Sequence, residues 1–150
     1  GIAEIKGKLH SATIMKWAKD LGLTSIYTAD EVPWCGLFVA KVVSQSGFQP
    51  VNNPLWALNW SKFGTAQKIA MLGDVLVFTR PSGGHVGFYV GEDSEAYHVL
   101  GGNQSDMVSI TRIAKSRCVA IRRCPWKVAQ PVEVKRIFLS ASGKLSTNEA

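Results

Sequence analysis

Cys35 has the sequence setting of a reactive thiol. It lies in Asp30–Gly47, DEVPWCGLFVAKVVSQSG, a stretch that predicts a helix beginning near Pro33 and ending at Gly47. Apolar residues occur nearly all round this helix, so we expect it to be buried. In a first helical turn, unpaired backbone N–H groups and the positive end of the helix dipole lower a thiol pKa. Cys35 is therefore a candidate nucleophile, and the alternative is a small apolar residue in the core.

His85 is the candidate base for this thiol. It follows a tight turn, SGG, and begins the segment HVGFYVG, whose alternation predicts a strand. The face expected toward the core carries Val86, Phe88 and Val90, which leaves His85 on the other face. An imidazole in reach of a thiol can accept its proton and later return it to a leaving amine. The alternative is a histidine at a strand end that is satisfied by solvent.

Two residues beyond His85 are candidates for a third member of the site. A histidine base needs a partner that holds its far ring nitrogen and fixes its tautomer, and His98 and Asn103 are of suitable type. An odd number of positions separates them, so on one regular strand they face opposite sides, and a bulge at Gly101 and Gly102 would change that parity. Both stay open at this point, because an asparagine after two glycines is also common in turns.

Two short helices are predicted on either side of the central one. Ser11 is suited to cap a helix that continues with apolar residues at helical spacing and stops at Gly22. Leu55–Phe63 follows a loop and predicts the other helix, in which Trp56 and Trp60 fall four apart and share a face. We interpret this pair as core aromatics or, alternatively, as one wall of a substrate cleft.

The second half of the chain changes to short β-rich segments separated by turn signals. The segments are GDVLVFTR, HVGFYVGE, EAYHVLGG, MVSITRIA and SRCVAIRRC. Helices followed by an antiparallel sheet indicate the α+β class. After Trp126 the pattern is lost, so we expect a domain over residues 1–126 and a tail or linker over residues 127–150.

Composition narrows the class of protein. A length of 150 residues suits one domain, and 46% hydrophobic with 19% charged residues is globular composition. The formal charge of +6 favours polyanionic partners, but no basic run is interleaved with aromatics, so nucleic acid is not expected. No run is long and apolar enough to span a bilayer, and no signal peptide is visible at the start.

Metal and disulfide sites are not indicated by the sequence. It contains no HExxH or CxxC motif, and we expect neither a metal nor a cofactor. Three cysteines leave at least one thiol free. Cys118 and Cys124 would be too far apart to bond on one straight strand.

The order of four motifs resembles a known family. PWCGLFVAKVVSQSGF, GDVLVF, GHVGFYVGED and YHVLGGNQSDMVSI are similar to the cysteine hydrolase superfamily that includes the NlpC-type peptidases and the CHAP amidases. They resemble most closely a phage- and prophage-associated subgroup, and the likeness extends over residues 1–125. Trp34 precedes the cysteine, as in the phage-type relatives, whereas an acidic residue tends to precede it in NlpC-type enzymes.

This resemblance implies a papain-like α+β fold, in which N-terminal helices pack on a C-terminal antiparallel sheet. It implies that Cys35 and His85 hydrolyse amide bonds of bacterial peptidoglycan through an acyl-enzyme, as an endopeptidase or as an N-acetylmuramoyl-L-alanine amidase. NlpC-type enzymes orient the base with a histidine on the next strand, near His98, whereas CHAP-type enzymes use a carboxylate or an asparagine. The LGGNQSD motif fits the closer subgroup, so we predict Asn103 as the third member and keep His98 as the alternative.

A peptidoglycan hydrolase also implies partners and a location. We expect peptidoglycan or muropeptides as substrate, and an immunity protein or a phage or secretion component as a further partner. The protein would act in the bacterial periplasm or cell wall, delivered by phage lysis or by a secretion system because no signal peptide is visible. Two alternatives stay open: a papain-type deamidase or transferase acting on a protein, and a non-catalytic module that binds the cell wall through Trp56 and Trp60.

Overall fold

The described part of the chain joins two α-helices and two 3-10 helices, the longer at Ala57–Lys62 and the shorter at Lys115–Arg117, to a six-stranded antiparallel sheet. The computed structural model describes residues 12–22, 34–81, 83–104, 107–126, 130–141 and 145–146, with side chains at all of these except 12, 13, 15 and 103. The helices come first in the chain and the sheet follows, so the α+β class predicted from the sequence is confirmed.

The central helix is buried, as its sequence predicts. Helix α1 spans Ala12–Asp20 and helix α2 spans Cys35–Gln45, and most of α2 is inaccessible to solvent. Gly47 ends α2 with a left-handed φ of +87°, and its N–H donates to the Ser44 carbonyl at 3.1 Å. Because α2 begins at Cys35, the thiol stands in the first turn of a helix that is packed inside the molecule.

The sheet contains the five predicted strands and one more. Its strands are β1 (Thr65–Ala66), β2 (Val75–Thr79), β3 (Gly84–Glu92), β4 (Ala96–Gln104), β5 (Met107–Ala114) and β6 (Cys118–Arg123). They are arranged in the order β1-β6-β2-β3-β4-β5, and every neighbouring pair is antiparallel. Strand β1 was not predicted, because two exposed residues carry no hydrophobic alternation.

Both faces of the central strands are buried. Val86 and Phe88 belong to the apolar cluster that includes α2, as the alternation of β3 predicts. Tyr89 on the opposite face belongs to a second cluster with Phe78 and other residues. Val90 is only half-buried, and the register of β3 on β4 shifts between Tyr89 and Gly91.

The two tryptophans predicted to share a helical face do not do so. The 3-10 helix begins at Ala57 and ends at Lys62, so Trp56 precedes it in an extended conformation. Trp60 is fully buried, and its indole N–H donates to the Pro54 carbonyl at 2.9 Å. Trp56 instead exposes 72% of its surface.

A carboxylate at the end of β3 holds the described part of the C-terminal segment. The Glu92 N–H donates to the Ile137 carbonyl at 2.8 Å, and the Leu139 N–H donates to the Glu92 carbonyl at 2.7 Å. The Glu92 carboxylate accepts from Arg136 at 2.6 Å and from the Tyr89 hydroxyl at 2.7 Å. Residues 136–139, which belong to the range that we predicted as a tail or linker, are therefore bonded to the end of β3.

Replacing Glu92 with alanine should lower the free energy of unfolding by about 2 to 3 kcal/mol, because it removes the centre of a buried network. Burial raises the pKa of Glu92, but hydrogen bonds from Arg136, Tyr89 and Lys115 outweigh it and lower the pKa from 4.5 to about 2. The carboxylate therefore stabilises the fold above pH 4.5, and this contribution is lost as the pH falls toward 2.

Urea unfolding at several pH values measures both effects. Glu95→Ala is the matched control, because the Glu95 side chain is exposed in the neighbouring turn. Equal losses of stability in the two variants would contradict the role given to Glu92.

Candidate active site

The thiol of Cys35 sits at the first position of α2 and is nearly enclosed. Cys35 exposes 5% of its surface, and Trp34, which precedes it, is fully buried. The first hydrogen bond closed by this turn runs from the Phe38 N–H to the Trp34 carbonyl at 3.0 Å. The N–H groups that precede Phe38 in the turn have no acceptor within the helix, so this end of α2 is positive.

His85 lies beside this thiol, close enough for its imidazole to lower the thiol pKa. The imidazole is itself buried, and its ring packs on Phe78 with the centroids 6.5 Å apart. Burial raises the pKa of Cys35, but the hydrogen bond and charge of His85, the Val86 N–H and the positive charge of Arg80 together lower it below its ordinary value. The surroundings thus favour the thiolate, which is the nucleophilic form of cysteine.

Gln104 holds the other side of the His85 ring. Its Oε1 lies 2.9 Å from His85 Nε2, and both residues are buried. The amide is oriented by two carbonyls, because Gln104 Nε2 donates to Val99 O at 3.1 Å and to Ser109 O at 2.6 Å. Its oxygen must then face the histidine, so Nε2 of His85 carries the hydrogen. This leaves Nδ1 as the basic nitrogen on the side of Cys35.

A β-bulge brings Gln104 to this position. The pairing of β4 with β5 passes from Gly101↔Ser109 to Gln104↔Met107, so two residues of β4 oppose one residue of β5. The extra residue reverses the alternation, and Gln104 comes to the same side as Gly101. A Cβ added at Gly101 would lie 2.6 Å from Gln104 Oε1 and 3.2 Å from His85 Nε2. A side chain at position 101 would therefore intrude on the contact.

Glycines also let the surrounding elements close on the first turn of α2. A Cβ at Gly102 would lie 2.7 Å from Trp34 Cε3 and 2.7 Å from Phe38 Cβ, so the bulge packs its backbone directly on the helix. A Cβ at Gly36 would lie 2.1 Å from the Pro54 carbonyl oxygen. The loop before the 3-10 helix is thus in contact with the residue that follows the thiol.

The structure brings together some of the predicted site residues and not others. Cys35 and His85 lie side by side, and the imidazole lowers the pKa of the thiol. His98 lies instead in a cluster with Asp93 and Arg112, where its Nε2 is 2.7 Å from Asp93 Oδ2 and Arg112 Nε is 3.0 Å from the same oxygen. Asn103 is in the bulge of β4, but its side chain lies outside the described part of the structure, so its role stays a prediction.

Gln104 is the residue that sequence reasoning missed. It directly follows Asn103 in the motif LGGNQSD, and on a regular strand it would face the same side as His98. The two glycines were the available signal, because they indicated a bulge that would reverse the parity of whatever followed. The bulge is present, and the contact with His85 is made one residue later than the one we chose.

Alkylation with iodoacetamide should report the lowered pKa of Cys35. We expect the midpoint of its rate profile to lie below that of an ordinary thiol, and His85→Ala to raise that midpoint and slow the reaction at pH 7 by roughly tenfold or more. The physical reason is that removing the imidazole leaves burial as the dominant influence on the thiol. Stopped-flow or mass-spectrometric rates between pH 5 and 10 provide the measurement.

The other two thiols supply the control for this labelling. Burial raises the pKa of Cys118 to about 11 and also raises that of Cys124, so neither should react at neutral pH. Cys35→Ala is therefore expected to be almost inert at pH 7. Identical profiles in the parent protein and His85→Ala would contradict the coupling of thiol and imidazole.

The described residues contain neither a cluster that could hold a metal ion nor a helix that could span a membrane. Within these ranges no group of three or more His, Cys, Asp or Glu side chains could hold a metal ion. All three cysteines are free thiols. No helix in the described part of the chain has the length and apolar character needed to cross a membrane.

Comparison with known proteins identifies no family for this chain. No protein-family model matches the chain, and no curated protein matches it. The family resemblance therefore rests on the four motifs and their order, and it stays a prediction.

Proposed function

We propose that this protein is a cysteine hydrolase that cleaves amide bonds of bacterial peptidoglycan, with α2 and the sheet packed in the papain-like manner. The observation that carries the proposal is the chain of contacts from Cys35 to His85 to Gln104. A thiol, a basic nitrogen directed at it and a fixed tautomer are the parts that a cysteine nucleophile requires. Each of these side chains is buried, which holds the three in one arrangement.

The first half of the reaction uses the thiolate and the proton it gives up. His85 Nδ1 takes the proton from Cys35, and the sulfur attacks the carbonyl carbon of the scissile amide. The tetrahedral oxyanion is stabilised by backbone N–H groups at the start of α2, which point away from the helix and have no acceptor within it. The imidazolium then protonates the leaving amine, the C–N bond breaks, and a thioester remains on Cys35.

The second half releases the acid product. His85, neutral again, accepts a proton from a water molecule that attacks the thioester carbonyl. Collapse of this second tetrahedral intermediate breaks the C–S bond, and the departing sulfur leaves as a thiolate partnered by the imidazolium. No outside oxidant, reductant or cofactor enters either half.

A neutral third residue has a consequence for the base. Gln104 fixes the tautomer through an amide oxygen and adds no negative charge behind the ring. A carboxylate in that position would favour the imidazolium more strongly. The positive charge of Arg80 also lowers the pKa of Cys35, so support for the thiolate is not limited to the imidazole.

The choice of peptidoglycan rests on the motif resemblance and on charge. The four motifs resemble enzymes that act on this polymer, and a formal charge of +6 suits an anionic cell wall. We propose the periplasm or cell wall as the place of action on the same grounds. A papain-type deamidase or transferase acting on a protein would use the same side chains, so the substrate must be decided by experiment.

Cys35→Ala and His85→Ala should each abolish lysis of purified peptidoglycan while leaving the fold intact. The thiolate is the proposed nucleophile and the imidazole its base, so neither loss can be compensated by the remaining side chains. Turbidity of a peptidoglycan suspension and mass spectrometry of the released muropeptides provide the measurement, and the latter also identifies the bond that is cut.

Cys118→Ala is the control, because burial raises the pKa of that thiol and keeps it protonated at neutral pH. Lysis retained by Cys35→Ala or His85→Ala would overturn the mechanism. If the parent protein is alkylated at Cys35 but does not hydrolyse peptidoglycan, the result would favour a deamidase or transferase that acts on a protein.

Gln104→Ala should lower kcat on the order of 10- to 100-fold, because the imidazole loses the partner that fixes its tautomer. We expect Asn103→Ala to have a smaller effect and His98→Ala the smallest, since His98 is engaged with Asp93. The pH profile of kcat should also move in Gln104→Ala, which a purely structural loss would not cause. A larger effect of Asn103→Ala or His98→Ala would give that residue the orienting role.

A further inference from the structure

We propose that a cavity beside the candidate active site binds the saccharide part of the wall polymer, which is the portion adjoining the peptide to be cut. This inference rests on the proposed function and extends it to a second group of residues. The cavity has a volume of about 580 Å³, which lies within the size range of small-molecule sites. Its described lining residues are Pro50, Val51, Asn52, Asn53, Trp56, Asn59 and Lys62.

Trp56 gives this cavity an apolar platform. The indole is 72% exposed, which is a large apolar area to leave in water next to a cavity. The flat face of an indole matches the row of axial C–H groups on a pyranose ring, so a sugar can cover it without losing the hydration of its hydroxyl groups. A side chain kept only for the core would resemble Trp60, which is fully buried four residues later.

Hydrogen-bonding groups surround the platform. Three asparagine side chains and Lys62 line the same cavity, and none of its described lining residues is acidic. Amides both donate and accept, so they suit the hydroxyl and acetamido groups of an aminosugar. This combination of one aromatic face, three amides and one cation favours a saccharide over a purely apolar ligand.

The wall of the cavity is fixed before any ligand arrives. Asn59 Nδ2 lies 3.3 Å from both the Asn52 and the Asn53 carbonyl oxygens, which ties the loop to the 3-10 helix. The Trp60 indole ties the same helix to the Pro54 carbonyl at 2.9 Å. A pre-formed surface loses little conformational freedom on binding, which favours recognition of a weakly binding sugar.

Two residues that are next in sequence to lining residues of the cavity make close contacts beside the reacting groups. Pro54, between the lining residues and the 3-10 helix, touches the backbone at Gly36, next to Cys35. Leu58 covers Gly84, the residue before His85, and a Cβ at that glycine would lie 2.5 Å from Leu58 Cδ2. A polymer with its peptide at Cys35 could therefore place its attached sugar on Trp56.

Binding of a sugar can be tested without hydrolysis. The probe is the disaccharide of N-acetylglucosamine and N-acetylmuramic acid, added at millimolar concentration to the Cys35→Ala protein. We expect the indole N–H signal of Trp56 to shift in the NMR spectrum, and Trp56→Ala to weaken binding about tenfold or more. The Trp126→Ala variant should bind as the parent does, since Trp126 contacts Phe48 outside this cavity. An indole N–H signal of Trp56 that does not shift, or an equal loss of affinity in Trp56→Ala and Trp126→Ala, would overturn the inference.

Kinetics provide the second test and separate the two proposals. Trp56→Ala should raise KM for peptidoglycan about tenfold with kcat little changed. The comparison substrate has no glycan chain: a sugar-free stem peptide if the bond cut lies within the peptide, or a simple N-acyl-alanine amide if it is the one to L-alanine, and its cleavage should be unaltered. Equal effects on the two substrates would overturn the inference while leaving the proposed function in place. Absence of hydrolysis by the parent protein, with the sugar still bound at Trp56, would overturn the proposed function and leave the saccharide site standing.

Discussion

The electrostatic coupling of a buried thiol to the buried imidazole beside it is the interaction on which the rest of the site depends. Burial alone would keep Cys35 protonated and unreactive, and the pKa is lowered only because His85, Val86 and Arg80 together outweigh it. These groups lower the thiol pKa only at close range. The backbone of β4 and of the loop before the 3-10 helix must therefore approach the start of α2 without an intervening side chain. Gly102 and Gly36 permit this approach on two sides. The packing of α2 and the chemistry of its first residue therefore have the same structural cause.

The bulge in β4 links sheet geometry to proton position. One extra residue in the strand turns Gln104 toward His85, and two carbonyls then orient its amide. The tautomer of the histidine follows from hydrogen bonds that are made far from the thiol. A regular β4 would present a different residue at this point, and the same sequence motif would carry a different function.

The sequence predicted the parts of the structure that depend on local pattern. Helix α2 and five strands were foreseen because burial and alternation repeat along each of them, and Cys35 and His85 because residue type and position coincided. Gln104 was not foreseen, because its orientation depends on where a bulge falls rather than on its own neighbours. The prediction that Trp56 and Trp60 share a helical face was wrong, because the 3-10 helix begins one residue after Trp56. Residues 130–141 have no periodicity, and their packing depends on Glu92, which is distant in sequence.

The hydrogen bonds between Glu92 and residues 136–139 set a lower limit on the length of an intact domain. Strand β3 carries His85 near one end and Glu92 at the other, so the C-terminal segment is bonded to the strand that carries the candidate base. A polypeptide ending at residue 126 would keep every candidate catalytic side chain and yet lose Ile137, which packs on the second apolar cluster. The smallest autonomous unit should therefore extend at least to Leu139, whose N–H closes the last hydrogen bond to Glu92.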